Sequence, residues 1–408
     1  MMKHIVFVVG NYKNGGVPMR STNLANEFAK KGYSVDILVT KEIADDVYFV
    51  REDGVNLISL KEFTEANKTD SDYIKIKNKW TRRICLLKKL RYITKYFPAI
   101  DKKLEMEIHD IRKGEELLCY TVNHRDSVYI AFGIGCFEQA FCAAKTFGSK
   151  AIYAERNAPD VDFPKDSEKR ARLMGLLKNA AGAVLQTHEE LEFFGNTFKE
   201  TEVIRNPVKA GLPEPYTETR RNVIVNFCRI ANQKNLPLMI RAFIKLHEIY
   251  PDYSLEIYGN TVAENEEKIK EELIRMIAEL GAEKYIKILP PRGDIHGIIR
   301  DCAMFVSSSD FEGLSNSMIE AMAIGLPCIC TDCLGGGARE MIRHGENGLL
   351  VPMNDADALC DAMKLMIEDS SLAQKCSQNA AQIRDELSVD RIAQLWIDFI
   401  EKIAWEKL

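Results

Sequence analysis

Two carboxylates eight residues apart, Glu312 and Glu320, sit in the run Glu312-Gly313-Leu314-Ser315-Asn316-Ser317-Met318-Ile319-Glu320-Ala321-Met322-Ala323-Ile324-Gly325-Leu326-Pro327. Met304–Ser307 before it and Pro327–Thr331 after it read as buried strands. The run is therefore a strand-to-helix turn, with a helix opening at about Ser315 and stopped by Gly325. Such a helix start aims unpaired backbone N–H groups and a positive dipole end at an anion. Glu312 falls at its mouth and Glu320 more than a turn inside. A phosphate flanked by carboxylates that accept hydrogen bonds from hydroxyls suits a nucleotide sugar.

Separating a sugar from a nucleoside diphosphate leaves about two negative charges on the pyrophosphate, which a metal or preorganised cations and amides must stabilise. Arg229 and Lys234 flank the loop that ends the strand Val223–Cys228, one a fork of donors and the other a mobile point charge. The two Asp-x-Asp triplets, Asp70-Ser71-Asp72 and Asp160-Val161-Asp162, are worse placed for a metal, since neither sits where a strand delivers ligands. No metal or other cofactor is expected. No nucleophile-base-orienter set emerges, and His124 and His188 read more readily as structural than as bases.

The elements that position these residues alternate. His4–Val9 reads as a strand, Gly10–Gly16 as a turn, and a helix begins near Pro18, buries Leu24 and Phe28 and ends at Gly32 before the strand Ser34–Val39. A second such unit runs through Val223–Cys228, a helix with Pro237 in its first turn, and the strand Leu255–Tyr258. Each is a βαβ unit, implying a parallel sheet with right-handed crossovers and ligands at the carboxyl ends of the strands. Two such starts indicate two doubly wound domains, with a hinge near Arg205-Asn206-Pro207 through Pro215. Lys150–Ala154 reads as a strand, Leu349–Val351 as another, and helices follow at Asp355–Ile367 and about Asp390–Ile403. The polar stretch Lys61–Tyr73 is the most disorder-prone region.

The Glu312–Pro327 run, with its Glu-x7-Glu spacing between strands, resembles the signature of retaining glycosyltransferase family 4. That resemblance implies the α/β GT-B fold, two Rossmann-like domains facing across a cleft. It places an acceptor-binding domain at 1–207, joined by the C-terminal helix at about 388–408, and a nucleotide-sugar-binding domain at 208–387. Phe227-Cys228-Arg229-Ile230-Ala231-Asn232-Gln233-Lys234-Asn235 resembles the family's Gly-Arg-Leu-x-x-x-Lys-Asn, with Cys228 in place of glycine, whose Arg and Lys bind the donor diphosphate. Gly15-Gly16 resembles its glycine-rich loop, though Val17-Pro18-Met19-Arg20 stands where a small and an acidic residue usually follow. By the same resemblance Glu312 holds sugar hydroxyls, Gly16, Gly313, Leu314, Ser315 and Asn316 line sugar and phosphates, and Glu320 accepts the ribose hydroxyls. Gly335-Gly336-Gly337 with Glu340 either lies along the donor cleft or makes a plain tight turn. Glu155-Arg156-Asn157 resembles an acceptor or sugar-side element of members acting on polysaccharide intermediates. The implied reaction is metal-independent transfer with retention from a nucleotide-diphosphate sugar, UDP-sugar favoured, to a saccharide acceptor. An epimerase of the same fold and a catalytically silent nucleotide-sugar-binding protein are the alternatives. A dehydrogenase is disfavoured because the first βα turn lacks the dinucleotide fingerprint.

A 408-residue chain that is 46% hydrophobic is globular and long enough for two cores. It lacks an apolar run near the ~18 residues that span a bilayer, and its start enters a strand without a cleavage site, so a cytoplasmic protein is expected. Eleven cysteines, mostly in apolar runs, fit that compartment, and Cys328, Cys330 and Cys333 suit core packing better than zinc. Lys75–Lys95 carries nine Lys or Arg and no acid, so the remaining chain carries −14 against a whole-chain −5. With Trp80, Ile84 and Leu87 on one helical face, this segment suits an anionic, cytosolic membrane surface and hence a lipid-linked acceptor such as a polyprenyl-diphosphate saccharide, the alternative being a helix packed on its own domain with a solvated basic face. A nucleic-acid partner is disfavoured, because the rest of the chain is acidic.

Overall fold

A computed structural model of the chain describes residues 3–405 apart from 14, 45, 46, 48, 164, 166, 167, 262 and 263. Asn14 of the glycine loop, with Met1 and Met2, thus lies outside the described residues.

The short apolar runs form two all-parallel sheets. The first contains β1 (His4–Val9), β2 (Ser34–Val39), β3 (Val55–Ser59), β4 (Val128–Phe132), β5 (Lys150–Ala154), β6 (Gly182–Leu185) and β7 (Thr201–Val203), in the order 3-2-1-4-5-6-7. The second contains β8 (Arg221–Arg229), β9 (Ser254–Asn260), β10 (Ile286–Leu289), β11 (Cys302–Ser307), β12 (Cys328–Thr331) and β13 (Leu349–Val351), in the order 10-9-8-11-12-13. Central strands such as β1 and β4 are buried on both faces, which is why they read as unbroken apolar runs. In each sheet the winding reverses beside the first strand, between β1 and β4 and between β8 and β11. Those switch points are where an open α/β sheet leaves a crevice for ligands. The architecture is α/β, two Rossmann-like units of the GT-B type.

Helix α1 (Gly16–Lys30) begins two residues earlier than Pro18 suggests, because Gly15 serves as its N-cap. It ends at Gly32, whose φ of +88° suits a residue without Cβ. The stretch Lys61–Tyr73, expected to be disorder-prone, instead holds α2 (Leu60–Asn67) and the start of α3 (Ser71–Thr94). Ser59 and Asp70 cap them, accepting from the amides of Glu62 and Tyr73, and buried Leu60 and Tyr73 anchor them. A few well-spaced apolar residues outweigh the polar majority there.

Helices α3 and α4 (Pro98–Asn123) form an antiparallel hairpin, and α5 (Ile134–Ala144) packs beneath α4. Trp80 clusters with Leu118, Cys119 and Val122 of α4. A Cβ on Gly114 would lie 3.0 Å from the Trp80 ring. Trp80 and Leu87 are buried and Ile84 half-buried, so the Trp80–Ile84–Leu87 stripe faces α4, not outward as the sequence suggested. Acids of α4 also return to the basic segment. Arg91 is paired by Asp101 at 2.8 Å and Arg83 by Glu107.

The helix Val389–Ala404 follows the second sheet in sequence but packs on the first. Lys31 at the end of α1 pairs with Asp390 at 2.6 Å. Trp396 is buried beside Phe132. A Cβ on Gly182 of β6 would overlap Ile403.

Candidate functional site

Loops leaving β1, β5 and β6 meet loops leaving β8, β11 and β12, so both switch points contribute to one site. On the second sheet the turn Asn232–Lys234 is joined to the β11 loop. Gln233 Nε2 donates to the Phe311 carbonyl at 2.8 Å, and Ser308 Oγ to the carbonyls of Lys234 and Asn235. Lys234 Nζ consequently reaches Glu312 Oε1, which also accepts from Ser309 Oγ at 3.0 Å. Burial works against the Lys234 ammonium, yet the Glu312 charge holds its pKa above the ordinary value. Arg229, at the end of β8, is half-exposed, with Nε 3.5 Å from Glu266 Oε1. The structure thus brings Lys234 to Glu312 and leaves Arg229 more open to solvent.

The helix Asn316–Ala323 starts with Ser315 as N-cap and is closed by Gly325 at φ +72°, matching the start and stop read from sequence. Gly313 and Leu314 form the turn before it. Glu320 is only 6% exposed and already satisfied. Its Oε1 accepts from Arg20 Nη2 at 2.9 Å, and its Oε2 lies 2.9 Å from His296 Nε2. Burial pushes the Glu320 carboxyl up, but the His296 hydrogen bond and the Arg20 charge hold it below the usual range. Arg20 comes from α1, in the other sheet's unit. Its Nε also donates to Asn316 Oδ1 at 3.1 Å and its Nη1 to the Pro207 carbonyl. Gly16 completes this contact, since a Cβ there would lie 2.7 Å from Asn316 Nδ2. Arg20, His296 and Asn206, which bonds Asn316 Oδ1 at 3.1 Å, were not picked out from sequence as site residues. Only Arg20 left a signal, since it lies in register with buried Leu24 and Phe28 along one helical face.

Gly335-Gly336-Gly337 does more than turn. A Cβ on Gly335 would overlap the Glu312 carbonyl, and one on Gly337 the Gly313 carbonyl. A Cβ on Gly336 would lie 2.5 Å from Glu189 Oε2, and both Gly335 and Gly336 have positive φ. Glu340 accepts from Arg205 Nε at 3.0 Å and from the His188 amide at 3.1 Å, and lies 3.0 Å from His188 Nδ1. His188 therefore ties the two sheets together through Glu340. His124 sits at the opposite, amino-terminal end of β4, stacked on Tyr120 with ring centroids 4.1 Å apart.

Glu155, Arg156 and Asn157 follow β5. The Glu155 carboxylate turns inward, accepting from Tyr153 Oη at 2.5 Å and from the amides of Arg156 and Asn157. Burial pushes it up to about 7. Glu190 beside it is also raised, by burial and then by the Glu155 charge, and its Oε1 has no hydrogen-bond partner among the described residues. The Arg156 guanidinium lies 4.8 Å from the Phe132 ring centre and 5.6 Å from that of Trp396, with its pKa lowered to about 10 by burial. The Asn157 backbone abuts Gly313, where an added Cβ would lie 3.3 Å from its carbonyl oxygen. The first Asp-x-Asp triplet is otherwise engaged. Asp70 caps α3, Asp72 pairs with Arg125, and Asp160 and Asp162 lie in the short helix Pro159–Asp162. Among the described residues no group of three or more His, Cys, Asp or Glu is placed to hold a metal ion, and Cys328, Cys330 and Cys333 are buried.

Residues 213–383 match the family described as Glycosyl transferases group 1. An uncharacterized glycosyltransferase of Haemophilus influenzae is 22% identical over 97% of this chain and 99% of its own. The N-acetylgalactosamine-N,N'-diacetylbacillosaminyl-diphospho-undecaprenol 4-alpha-N-acetylgalactosaminyltransferase of Campylobacter jejuni is 29% identical over 59% of this chain and 67% of its own. Among solved structures, TarM of S. aureus superposes with a TM-score of 0.73 at 14% identity over 98% of this chain and 99% of its own. Anabaena HepE in complex with UDP and glucose superposes at 0.70 and 17% identity over 98% of this chain and 100% of its own. These structural likenesses establish the two-sheet fold, and the sequence match covers the unit that carries Arg229, Lys234, Glu312 and Glu320. The match to the group 1 glycosyltransferases thus covers residues 213–383, the second of the two units.

Proposed function

We propose that the protein transfers a sugar with retention, without a metal, from a UDP-sugar to a lipid-linked saccharide acceptor at the cytosolic membrane face. The observation that carries this reading is the Lys234–Glu312 pair beside the Ser315-capped helix start. The ammonium and the helix amides converge where a departing diphosphate gathers charge, and an ammonium already in place needs no reorganisation during reaction. Arg229, more exposed at the rim, adds a second cation. Glu312 stands at the sugar end and Glu320 at the ribose end. The departing phosphate itself serves as base toward the acceptor hydroxyl, which is in keeping with the engagement of His188 by Glu340. Support for the donor comes from HepE with bound UDP, and for the acceptor from the diphospho-undecaprenol in the name of the Campylobacter relative. Among the described residues no helix is long and apolar enough to cross a membrane, so a lipid-linked acceptor would be met at the bilayer surface.

Thermal unfolding with UDP-, GDP- and ADP-sugars tests the donor. Ligand at a hundred times its dissociation constant adds about 2.7 kcal/mol, so UDP-sugars should give the largest rise in Tm. The anomeric configuration of the product, read by NMR, tests retention. A larger shift with GDP- or ADP-sugars overturns the donor assignment, an inverted product overturns retention, and conversion of donor without acceptor would favour an epimerase.

A further inference from the structure

The end of the α3–α4 hairpin presents side chains that the fold leaves uncovered. Between Leu87 and Ile108 no described residue is buried, so this end lies outside the cores of the two units. Trp80, Ile84 and Leu87 face α4, whereas Leu86, Leu90 and Ile93 recur at helical spacing on the outer side and Phe97 follows in the turn to α4. Their exposures are 56%, 39%, 68% and 60%, and Tyr92 (76%), Tyr96 (77%) and Ile100 (50%) extend the patch around the turn. Nearly half of the large exposed hydrophobic residues of the described chain fall in this one hairpin end.

The charge around the patch is lopsided. Residues 86–103 hold Lys88, Lys89, Arg91, Lys95, Lys102 and Lys103 against the single acid Asp101. Asp101 is taken by Arg91, and Lys102 pairs with Glu168. Lys88, Lys89, Lys95 and Lys103 form no ion pair among the described residues, and Lys95 lies over the rings of Tyr92 and Tyr96 at 4.9 and 5.0 Å. Aliphatic and aromatic side chains on a convex tip, ringed by unpaired ammonium groups, match an anionic bilayer interface. The rings and branched chains enter the boundary region while the long cationic stems reach the head groups.

We infer that the α3–α4 hairpin end, through Leu90, Ile93, Tyr96 and Phe97 with Lys88, Lys89 and Lys95, is the segment that inserts into the surface of an anionic membrane. This rests on the proposed membrane-face reading and assigns its contact to the tip and not to the helix shaft. Sedimentation with vesicles containing about one third phosphatidylglycerol in phosphatidylcholine tests it on the full chain. Three variants are compared with wild type: Ile93→Ser/Tyr96→Ser/Phe97→Ser, Lys88→Gln/Lys89→Gln/Lys95→Gln, and the shaft control Arg82→Gln/Arg83→Gln. Wild type and shaft control should bind within about threefold of each other. The apolar-tip variant should lose at least about tenfold and the lysine variant about a hundredfold, with UDP-induced thermal protection intact in both. A Tyr96→Trp reporter should be quenched by brominated lipid. Equal binding of tip variants and wild type, with loss in the shaft control, overturns the tip assignment while leaving membrane association standing. Failure of wild type to bind at low salt overturns both. Lipid-free dimerisation that the apolar-tip variant abolishes would mark the tip as a contact between copies and also overturns the inference.

Discussion

Replacing Arg20 with methionine sets two consequences of one contact against each other. In the structure its guanidinium holds Glu320 Oε1 at 2.9 Å, Asn316 Oδ1 at 3.1 Å and the Pro207 carbonyl, and both Arg20 and Glu320 are almost fully buried. If the ribose hydroxyls are to reach Glu320, Arg20 must first withdraw, and a hydrogen bond to a charged group contributes about 1.5–3 kcal/mol. Even the lower figure corresponds to about tenfold in affinity. We therefore predict that Arg20→Met binds UDP at least about tenfold more tightly than wild type. The same change leaves the Glu320 carboxylate with the His296 imidazole as its remaining side-chain hydrogen-bond partner among the described residues. Removing one member of a buried pair costs about 3–5 kcal/mol, so the ligand-free protein should unfold at lower urea concentration. Titration calorimetry with UDP and urea unfolding, on Arg20→Met, Glu320→Gln and the double variant, separate these effects. The double variant should recover much of the lost stability, as coupled neighbours do. Weaker UDP binding by Arg20→Met would refute the reasoning, because it would mean that Arg20 touches the nucleotide instead of occupying its place.

Other expectations follow from single contacts. Glu155 is raised to about 7 by burial, so the folded state keeps its proton where the unfolded chain has released it. The resulting penalty is absent below about pH 4.5 and complete above about pH 7. Glu155→Gln should therefore gain on the order of 3 kcal/mol over wild type between pH 4.5 and pH 8, and a pH-independent difference in unfolding free energy would contradict this. Gly337→Ala would drive a methyl group into the Gly313 carbonyl and should displace the Glu312 loop, lowering turnover by at least about a hundredfold, some 3 kcal/mol. Gly135→Ala, where a Cβ meets open space, should leave the rate unchanged, and equal rates in the two variants would argue that the loop is indifferent to this packing. Stringent chelation should leave the initial rate nearly unchanged, whereas an absolute requirement for manganese or magnesium would refute metal independence.

What could be read locally was legible. Ser315 caps its own helix and Gly325 adopts the left-handed turn that ends it, so the sequence marks both boundaries. The buried runs of β1, β5 and β13 likewise carry their own strand signal. What depends on distant partners was not legible. Arg20 and Glu320 lie 300 residues apart, and nothing beside either one names the other. The same holds for Glu340 with Arg205 and for Asn157 against Gly313. The α3 stripe was visible, but its direction was not. Only the arrival of α4, with Gly114 opening room for Trp80, decides that Trp80 faces inward and Phe97 outward.

The helix Val389–Ala404 has a consequence for synthesis. Its residues fill the face of a sheet whose own strands end at Val203, so the first unit emerges from the ribosome with the seat for Trp396, Phe399 and Ile400 empty. Between Val203 and Val389 about 185 residues must be added, and at 5–20 residues per second that takes roughly 10–40 s. Through that interval the apolar groove beside Phe132 and Gly182 is exposed to whatever else is nearby. The nascent first unit thus carries an open apolar face until Val389–Ala404 has been made.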